Sequence, residues 1–137
     1  FAHVTVSDLD GDGKCEVFAT HDNQLLALSP KGKLLWQRSF GGPRFKAVAV
    51  GDVTGDGKNE VVASLSSQGL FAVALKADGK QQWTYRPREF RRLNPDDILI
   101  TDLDGDGRRE VVMASAGGLV ICIRDGKTVW AATREKS

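Results

Sequence analysis

The chain repeats itself three times, and this periodicity limits its possible folds more than any other feature. The pairs Gly32-Lys33, Gly79-Lys80 and Gly126-Lys127 stand 47 residues apart, and a tryptophan follows three residues after each lysine, as Trp36, Trp83 and Trp130. A fixed period of this length marks an architecture in which each repeat is one supersecondary unit. Acidic segments begin at Asp8, Asp52 and Asp102, spaced 44 and 50, because the second repeat is longer by three residues before its Gly-Lys turn and by three after its Trp. Length differences of this kind belong in loops.

Each repeat divides into four strands. Before the acidic segment, Val4 and Val6, Val48 and Val50, and Ile98 and Ile100 alternate with period two, which is strand periodicity. After it come Glu16 to Ala19, Glu60 to Ala63 and Glu110 to Met113, short apolar runs suited to strands covered on both faces. A turn leads to a third strand at Leu25 to Leu28, Phe71 to Leu75 and Leu119 to Ile123, and the Gly-Lys turn to a fourth holding the Trp. No segment combines a helical period with capping signals, so α/β folds and helical solenoids are disfavoured. The sequence predicts an all-β chain of three four-stranded antiparallel β-propeller blades, about 1–42, 43–92 and 93–137, in a single propeller-type domain. Propellers commonly have four to eight blades, so three make a partial propeller or half of an oligomeric ring.

The acidic segments read Asp8-Leu9-Asp10-Gly11-Asp12-Gly13-Lys14-Cys15-Glu16, Asp52-Val53-Thr54-Gly55-Asp56-Gly57-Lys58-Asn59-Glu60 and Asp102-Leu103-Asp104-Gly105-Asp106-Gly107-Arg108-Arg109-Glu110. Oxygen-bearing side chains recur at positions 1, 3, 5 and 9. Carboxylates crowded this closely repel one another unless a hard cation compensates. Calcium fits, because it takes six to eight oxygens in a flexible shell. Asp8, Asp10, Asp12 and Glu16, then Asp52, Thr54, Asp56 and Glu60, then Asp102, Asp104, Asp106 and Glu110 are the candidate ligands, with Lys14, Lys58 and Arg108 offering a backbone carbonyl at position 7. Up to three calcium ions are expected. The second site is the weaker, since Thr54 stands where the others carry Asp10 and Asp104. An EF-hand would need a Glu at position 12, where this chain has Ala19, Ala63 and Met113. An Asp-Gly hairpin turn that binds nothing has the same local appearance, but three loops agreeing at nearly every ligand position favour metal.

These loops resemble the calcium loops of FG-GAP and VCBS repeats, the blades of integrin-α-like propellers, and the resemblance covers all three repeats. It implies loops joining the first two strands of each blade, an extracellular or cell-surface setting with a periplasmic one as the variant, and a role in adhesion or in protein or carbohydrate recognition. The integrin-type signature survives loosely as Phe40-Gly41-Gly42. The Gly-Lys-x-x-Trp turns are similar to those of quinoprotein-like propellers, without a recognisable quinone site. The alternative readings are a propeller segment similar to calcium-rich polysaccharide lyases and a structural module assembling blade to blade.

Charge bears on the partner. The formal balance is +1, yet 11 of the 18 acidic residues lie in the three loops with only 4 of the 19 basic ones, so 15 basic residues face 7 acids elsewhere. Three divalent ions would raise the balance to about +7, which favours an anionic ligand such as an acidic polysaccharide or protein surface. Arg86, Arg88, Arg91 and Arg92, interleaved with Tyr85 and Phe90, concentrate that charge in the connector between the second and third repeats, expected on the face opposite the calcium loops. A solvated loop with local pairing to Asp96 and Asp97 is the plainer reading of the same cluster. No nucleic-acid motif accompanies it. Trp36, Trp83 and Trp130 are expected to pack between blades rather than stack on sugars. His3 and His21 mark no repeated site. Cys15 and Cys122 have neither zinc nor redox spacing and are expected to be free, with Cys122 buried in the place of Leu28 and Leu75. No nucleophile and base stand in a recognisable catalytic arrangement, so the chain is read as non-enzymatic by itself. The longest apolar stretch, Val111 to Ile123, is interrupted by Ser115, Gly117 and Gly118 and is too short to span a bilayer. A first residue that is Phe, with no leader before it, reads as an excised piece.

Overall fold

The computed structural model describes residues 2–66, 69–88, 93, 95–115 and 117–133. Among these residues twelve strands form three four-stranded sheets. The first holds β1 (Ala2–Ser7), β2 (Glu16–His21), β3 (Gln24–Leu28) and β4 (Leu34–Arg38); the second holds β5 (Arg44–Gly51), β6 (Glu60–Ser66), β7 (Ala72–Leu75) and β8 (Gln81–Tyr85); the third holds β9 (Pro95–Thr101), β10 (Glu110–Ser115), β11 (Leu119–Arg124) and β12 (Lys127–Thr133). Each sheet is an antiparallel meander in chain order, so the all-β reading and the four-strand repeat are both observed.

Two apolar clusters hold the sheets together. One joins Phe18, Leu25 and Ala27 of the first sheet to Val61, Ala63 and Leu75 of the second; the other joins Val62, Ala74 and Trp83 of the second to Val111, Met113 and Ile123 of the third. Successive residues of β6 therefore face opposite neighbours, and every residue from Glu60 to Leu65 is buried. β2 instead alternates between buried and half-buried, because the first sheet has a neighbour on one side only. The expected two-sided burial after the acidic segment is thus fully realised in the middle sheet alone. The two outer faces stay open, with Val4 and Val6 at 65% and 60% exposure on one and Leu99 at 60% on the other.

The Gly-Lys turns and the tryptophans form a second kind of joint between sheets. The Trp36 ring lies so close to the β7–β8 turn that a Cβ on Gly79 would sit 2.9 Å from it, and its Nε1 donates to the Ala77 carbonyl at 2.9 Å. Trp83 also meets the next turn, since a Cβ on Gly126 would sit 3.3 Å from its Cβ and 2.7 Å from the Thr84 carbonyl, but its buried Nε1 makes no hydrogen bond there. Trp130 has no following sheet and is 43% exposed, so packing between blades holds for two of the three tryptophans. Gly51 permits β5 and β9 to approach, since a Cβ there would stand 2.9 Å from Ile100 Cγ2.

Register corrects one expectation. Val17 pairs with Leu28, Val61 with Leu75 and Val111 with Ile123, so Ile123 takes the place of the two leucines. Cys122 is instead opposite Val112 and Trp130, matching Ala27 and Ala74. The third Gly-Lys turn is one residue shorter than the other two, which counting back from Gly126 does not reveal. Both cysteines are free as expected, Cys122 buried and Cys15 exposed. Among the described residues no helix is long and apolar enough to cross a membrane.

Candidate metal centres

All three acidic segments connect the first strand of a sheet to the second, β1 to β2, β5 to β6 and β9 to β10. Each loop folds around its own first carboxylate. Asp8 Oδ1 accepts the Gly11 N–H at 2.8 Å and the Asp12 N–H at 3.2 Å, and Oδ2 accepts the Gly13 N–H at 2.8 Å. Asp52 accepts from Gly55 and Gly57 at 2.8 Å each, and Asp102 from Gly105 at 2.8 Å and Gly107 at 2.9 Å. The glycines at positions 4 and 6 all have positive φ, between 74° and 89°, which turns successive N–H groups inward at low steric cost. The backbone donors lower the Asp8 carboxyl below its usual range, led by the Gly13 bond and opposed by desolvation.

The ninth residue closes each loop from the start of the returning strand. Glu16, Glu60 and Glu110 are buried, and in each one Oε1 accepts the N–H of the residue at position 2, at 2.9, 2.9 and 3.0 Å. That second residue ties the loop to the fold. Leu9 lies in the core between the first two sheets and Val53 in the core between the second and third, whereas Leu103, with no sheet beyond it, is 51% exposed.

Carboxylate oxygens of Asp8, Asp10 and Glu16, of Asp52, Asp56 and Glu60, and of Asp102, Asp104 and Glu110 lie within 4.8 Å of one another in each set. Oxygens ligating one calcium at about 2.3–2.6 Å are separated by no more than about 5 Å, so all three sets fit a hard divalent ion. The second set includes the fifth-position Asp56, while Thr54 Oγ1 donates to Asp52 at 3.3 Å; the fifth-position Asp12 and Asp106, also expected as ligands, are not among the gathered oxygens of the first and third loops. Crowding shows in the ionisation of these groups. Asp10 and Asp104 are raised above the usual carboxylate range, first by desolvation and then by their neighbours Asp12 and Asp106. Burial, with Asp56 and Asp52 adding to it, raises Glu60.

The basic residues of the loops brace the acidic ones. Their N–H groups donate to the fifth-position carboxylate: Lys14 to Asp12 at 2.8 Å, Lys58 to Asp56 and Arg108 to Asp106 at 2.9 Å. The Arg108 side chain packs on Gly55 of the preceding loop and pairs with Asp125 at 2.8 Å. Asn59 Nδ2 donates to the Asp8 carbonyl at 3.0 Å, so neighbouring loops are linked directly. Lys14 is exposed. One residue was not anticipated. Arg124, at the end of β11, reaches the third loop and pairs with Glu110 Oε2 and with Asp106 Oδ2 at 2.7 Å, with Asp104 Oδ2 at 3.8 Å. Its hydrogen bond is the main reason the Asp106 carboxyl falls to about 2.

Of the basic connector, Arg86 and Arg88 are exposed, while Phe90, Arg91 and Arg92 lie outside the described residues. Tyr85 is buried, its hydroxyl 2.7 Å from Thr128 Oγ1, and does not share that surface. The connector enters β9 at Pro95, which pairs with Ser115, whereas the acidic loop leaves β9 at Thr101, so the two lie at opposite ends of the strand. Asp97 Oδ1 accepts the Ile98 N–H at 2.9 Å. His3 and His21 are exposed and lie at the end of the β1–β2 pair away from the first loop.

Residues 17–95, more than half of the chain, match the family model of the lambda-carrageenase β-propeller domain. The chain belongs to this family. The likeness to FG-GAP and VCBS repeats rests on the loop motifs alone. None of the curated proteins matches the chain. Among solved structures it is similar to BBS1N in complex with ARL6DN (TM-score 0.69, 11% identity, 96% of this chain and 43% of that one). It is also similar to a protein of unknown function from Bacteroides caccae (0.60, 10%, 88% and 42%) and to BamB from Moraxella catarrhalis (0.56, 19%, 91% and 36%). At these identities the likeness is one of fold. This carrageenase-type propeller chain spans less than half the length of each of these structures.

Proposed function

We propose that this chain is the calcium-stabilised propeller segment of an extracellular, polysaccharide-acting protein, and that its own part is to bind the anionic polymer rather than cleave it. One observation carries the calcium half of this reading: three loops at the same place in three sheets each gather three carboxylates within 4.8 Å. When bound, calcium would supply the positive charge that relieves repulsion among these carboxylates. Asp8, Asp52 and Asp102 orient the loop backbone, Glu16, Glu60 and Glu110 fasten it to the returning strand, and Leu9 and Val53 carry the resulting rigidity into the cores between sheets. Sites of about 10 µM affinity facing about 1 mM extracellular calcium would stabilise the fold by roughly 2.7 kcal/mol each, and would stay empty at cytosolic calcium, in keeping with export.

The name of the matched family, a carrageenase, belongs to an enzyme acting on a polysaccharide. That name favours carbohydrate over a protein adhesion ligand here. The surplus of basic residues outside the loops, including exposed Arg86 and Arg88, favours an acidic one. The test is retention of the chain on an immobilised acidic polysaccharide against a neutral one of the same length, with release of reducing ends followed in parallel. Binding to the acidic polymer, weakened by salt, without release of reducing ends is expected. Equal retention on both polymers would remove the charge argument, and turnover would make the chain an enzyme.

A further inference from the structure

The first and third loops carry the same acidic residues at the same positions, so ligand count alone ranks them as equals. The strand beside them breaks the tie. One residue beyond the paired positions Leu28, Leu75 and Ile123, the three sheets carry Ser29, Lys76 and Arg124. Ser29 is occupied within its own turn, its Oγ accepting the Lys31 and Lys33 N–H groups at 3.3 and 3.0 Å. Lys76 is exposed and lines a crevice beside Asp56 and Glu60. Arg124 sits at the mouth of the short Asp125-Gly126 turn, whose φ values of 53° and 76° hold it opposite Lys127 at the strand end. From there its guanidinium crosses to the third loop.

Which oxygens it takes is decisive. In every loop Oε1 of the ninth-position Glu is committed to a backbone N–H, leaving Oε2 for a metal ion. In the third loop Nε of Arg124 donates to Glu110 Oε2 at 3.1 Å and Nη2 donates to the same atom and to Asp106 Oδ2. Asp106 Oδ1 already accepts the Arg108 N–H, so both of its oxygens are taken. Among the described residues no side-chain cation reaches Glu16. Arginine keeps its charge at any ordinary pH and its fork suits paired carboxylates, so it acts as a tethered ion of fixed local concentration.

We infer that Arg124 is the resident cation of the third loop: it neutralises that loop when calcium is absent and competes with calcium for Glu110 and Asp106, making the third loop a weaker calcium site than the first. This rests on the calcium reading above. The ion pair is partly exposed, so the expected handicap is modest, roughly fivefold in affinity.

The experiment follows the Gly13, Gly57 and Gly107 amide resonances of the intact chain during a calcium titration, in the native sequence and in Arg124→Ser, which installs the residue found in the first sheet. Gly107 should need about five times more calcium than Gly13, and the substitution should bring the two midpoints together. In chelator, Arg124→Ser should also melt below the native chain, while Arg124→Lys should retain much of the native behaviour. A native Gly107 midpoint at or below that of Gly13 overturns the inference even if no variant folds, and leaves calcium binding intact. An unchanged Gly107 midpoint in Arg124→Ser does the same. Should none of the three glycines respond to calcium, the calcium reading fails and the competition with it.

Discussion

At the residue scale, the loops separate two roles that a list of acidic positions runs together. The first-position Asp organises the backbone through its own hydrogen bonds, whereas Glu60, at the ninth position of the second loop, is held in a site that disfavours its charge. For Asp8 the sign of the linkage is plain: its folded carboxyl ionises below the unfolded one, so its contribution is present above the unfolded value and is lost as pH falls through the folded one. Glu60 is the reverse, raised when folded, so its ionisation opposes folding above the unfolded value and the opposition fades as pH falls through the folded value. In chelator at neutral pH, Asp8→Ala should therefore lower the melting temperature, while Glu60→Gln, whose amide oxygen still accepts the Val53 N–H, should leave it unchanged or raise it. Added calcium should raise the melting temperature of Glu60→Gln by less than that of the native chain. The three acidic clusters were legible in the sequence because the spacing of their carboxylates brings them together. Arg124 was not, because its approach to Glu110 depends on a turn one residue shorter than its counterparts, and that register appears only when Ile123 is seen opposite Val111.

At the scale of elements, the repeated Trp and the repeated Gly prove to be two halves of one joint, with Trp36 and Trp83 each seated on the Gly turn of the next sheet. Gly32 has the same backbone as Gly79, φ 85° against 84°, but open space where Gly79 meets Trp36. Both Gly32→Ala and Gly79→Ala bear the penalty of a left-handed backbone, about 1–2 kcal/mol. Gly79→Ala alone also forces the indole away, for a further 1–3 kcal/mol or so. Thermal unfolding of the two variants should differ by that second amount, and equal destabilisation would mean that the indole is not a fixed part of the joint. The sequence carried the existence, order and type of all twelve strands, because alternation and turn residues are local signals. It did not carry the pairing of Trp36 with Gly79, 43 residues away, which is set by how one sheet stacks on the next.

At the scale of the whole molecule, the chain exposes one face that carries a tryptophan and another whose Gly turn is uncovered. Trp130 is 43% exposed on the third sheet, and nothing stands within 4 Å of a Cβ at Gly32 on the first. These are the two halves of the inter-sheet joint without their mates, and we expect further blades, or a second copy, to cover them. Light scattering of the native chain and of Trp130→Arg distinguishes the cases: self-association that the substitution abolishes supports joining through this face, and a monomer in both forms assigns the cover to other blades. That three blades leave outer faces open was foreseeable from the blade count, but which face offers the ring and which the turn follows only from the stacking direction.

The central claim is that hard divalent ions held in the three loops fasten the stack of sheets. Its most direct test is the melting temperature of the native chain in chelator and in about 1 mM calcium. Three filled sites at roughly 2.7 kcal/mol each should raise the melting temperature by more than about 10 °C, with a competing resident arginine trimming the third contribution. Coincident melts in calcium and in chelator would contradict the account.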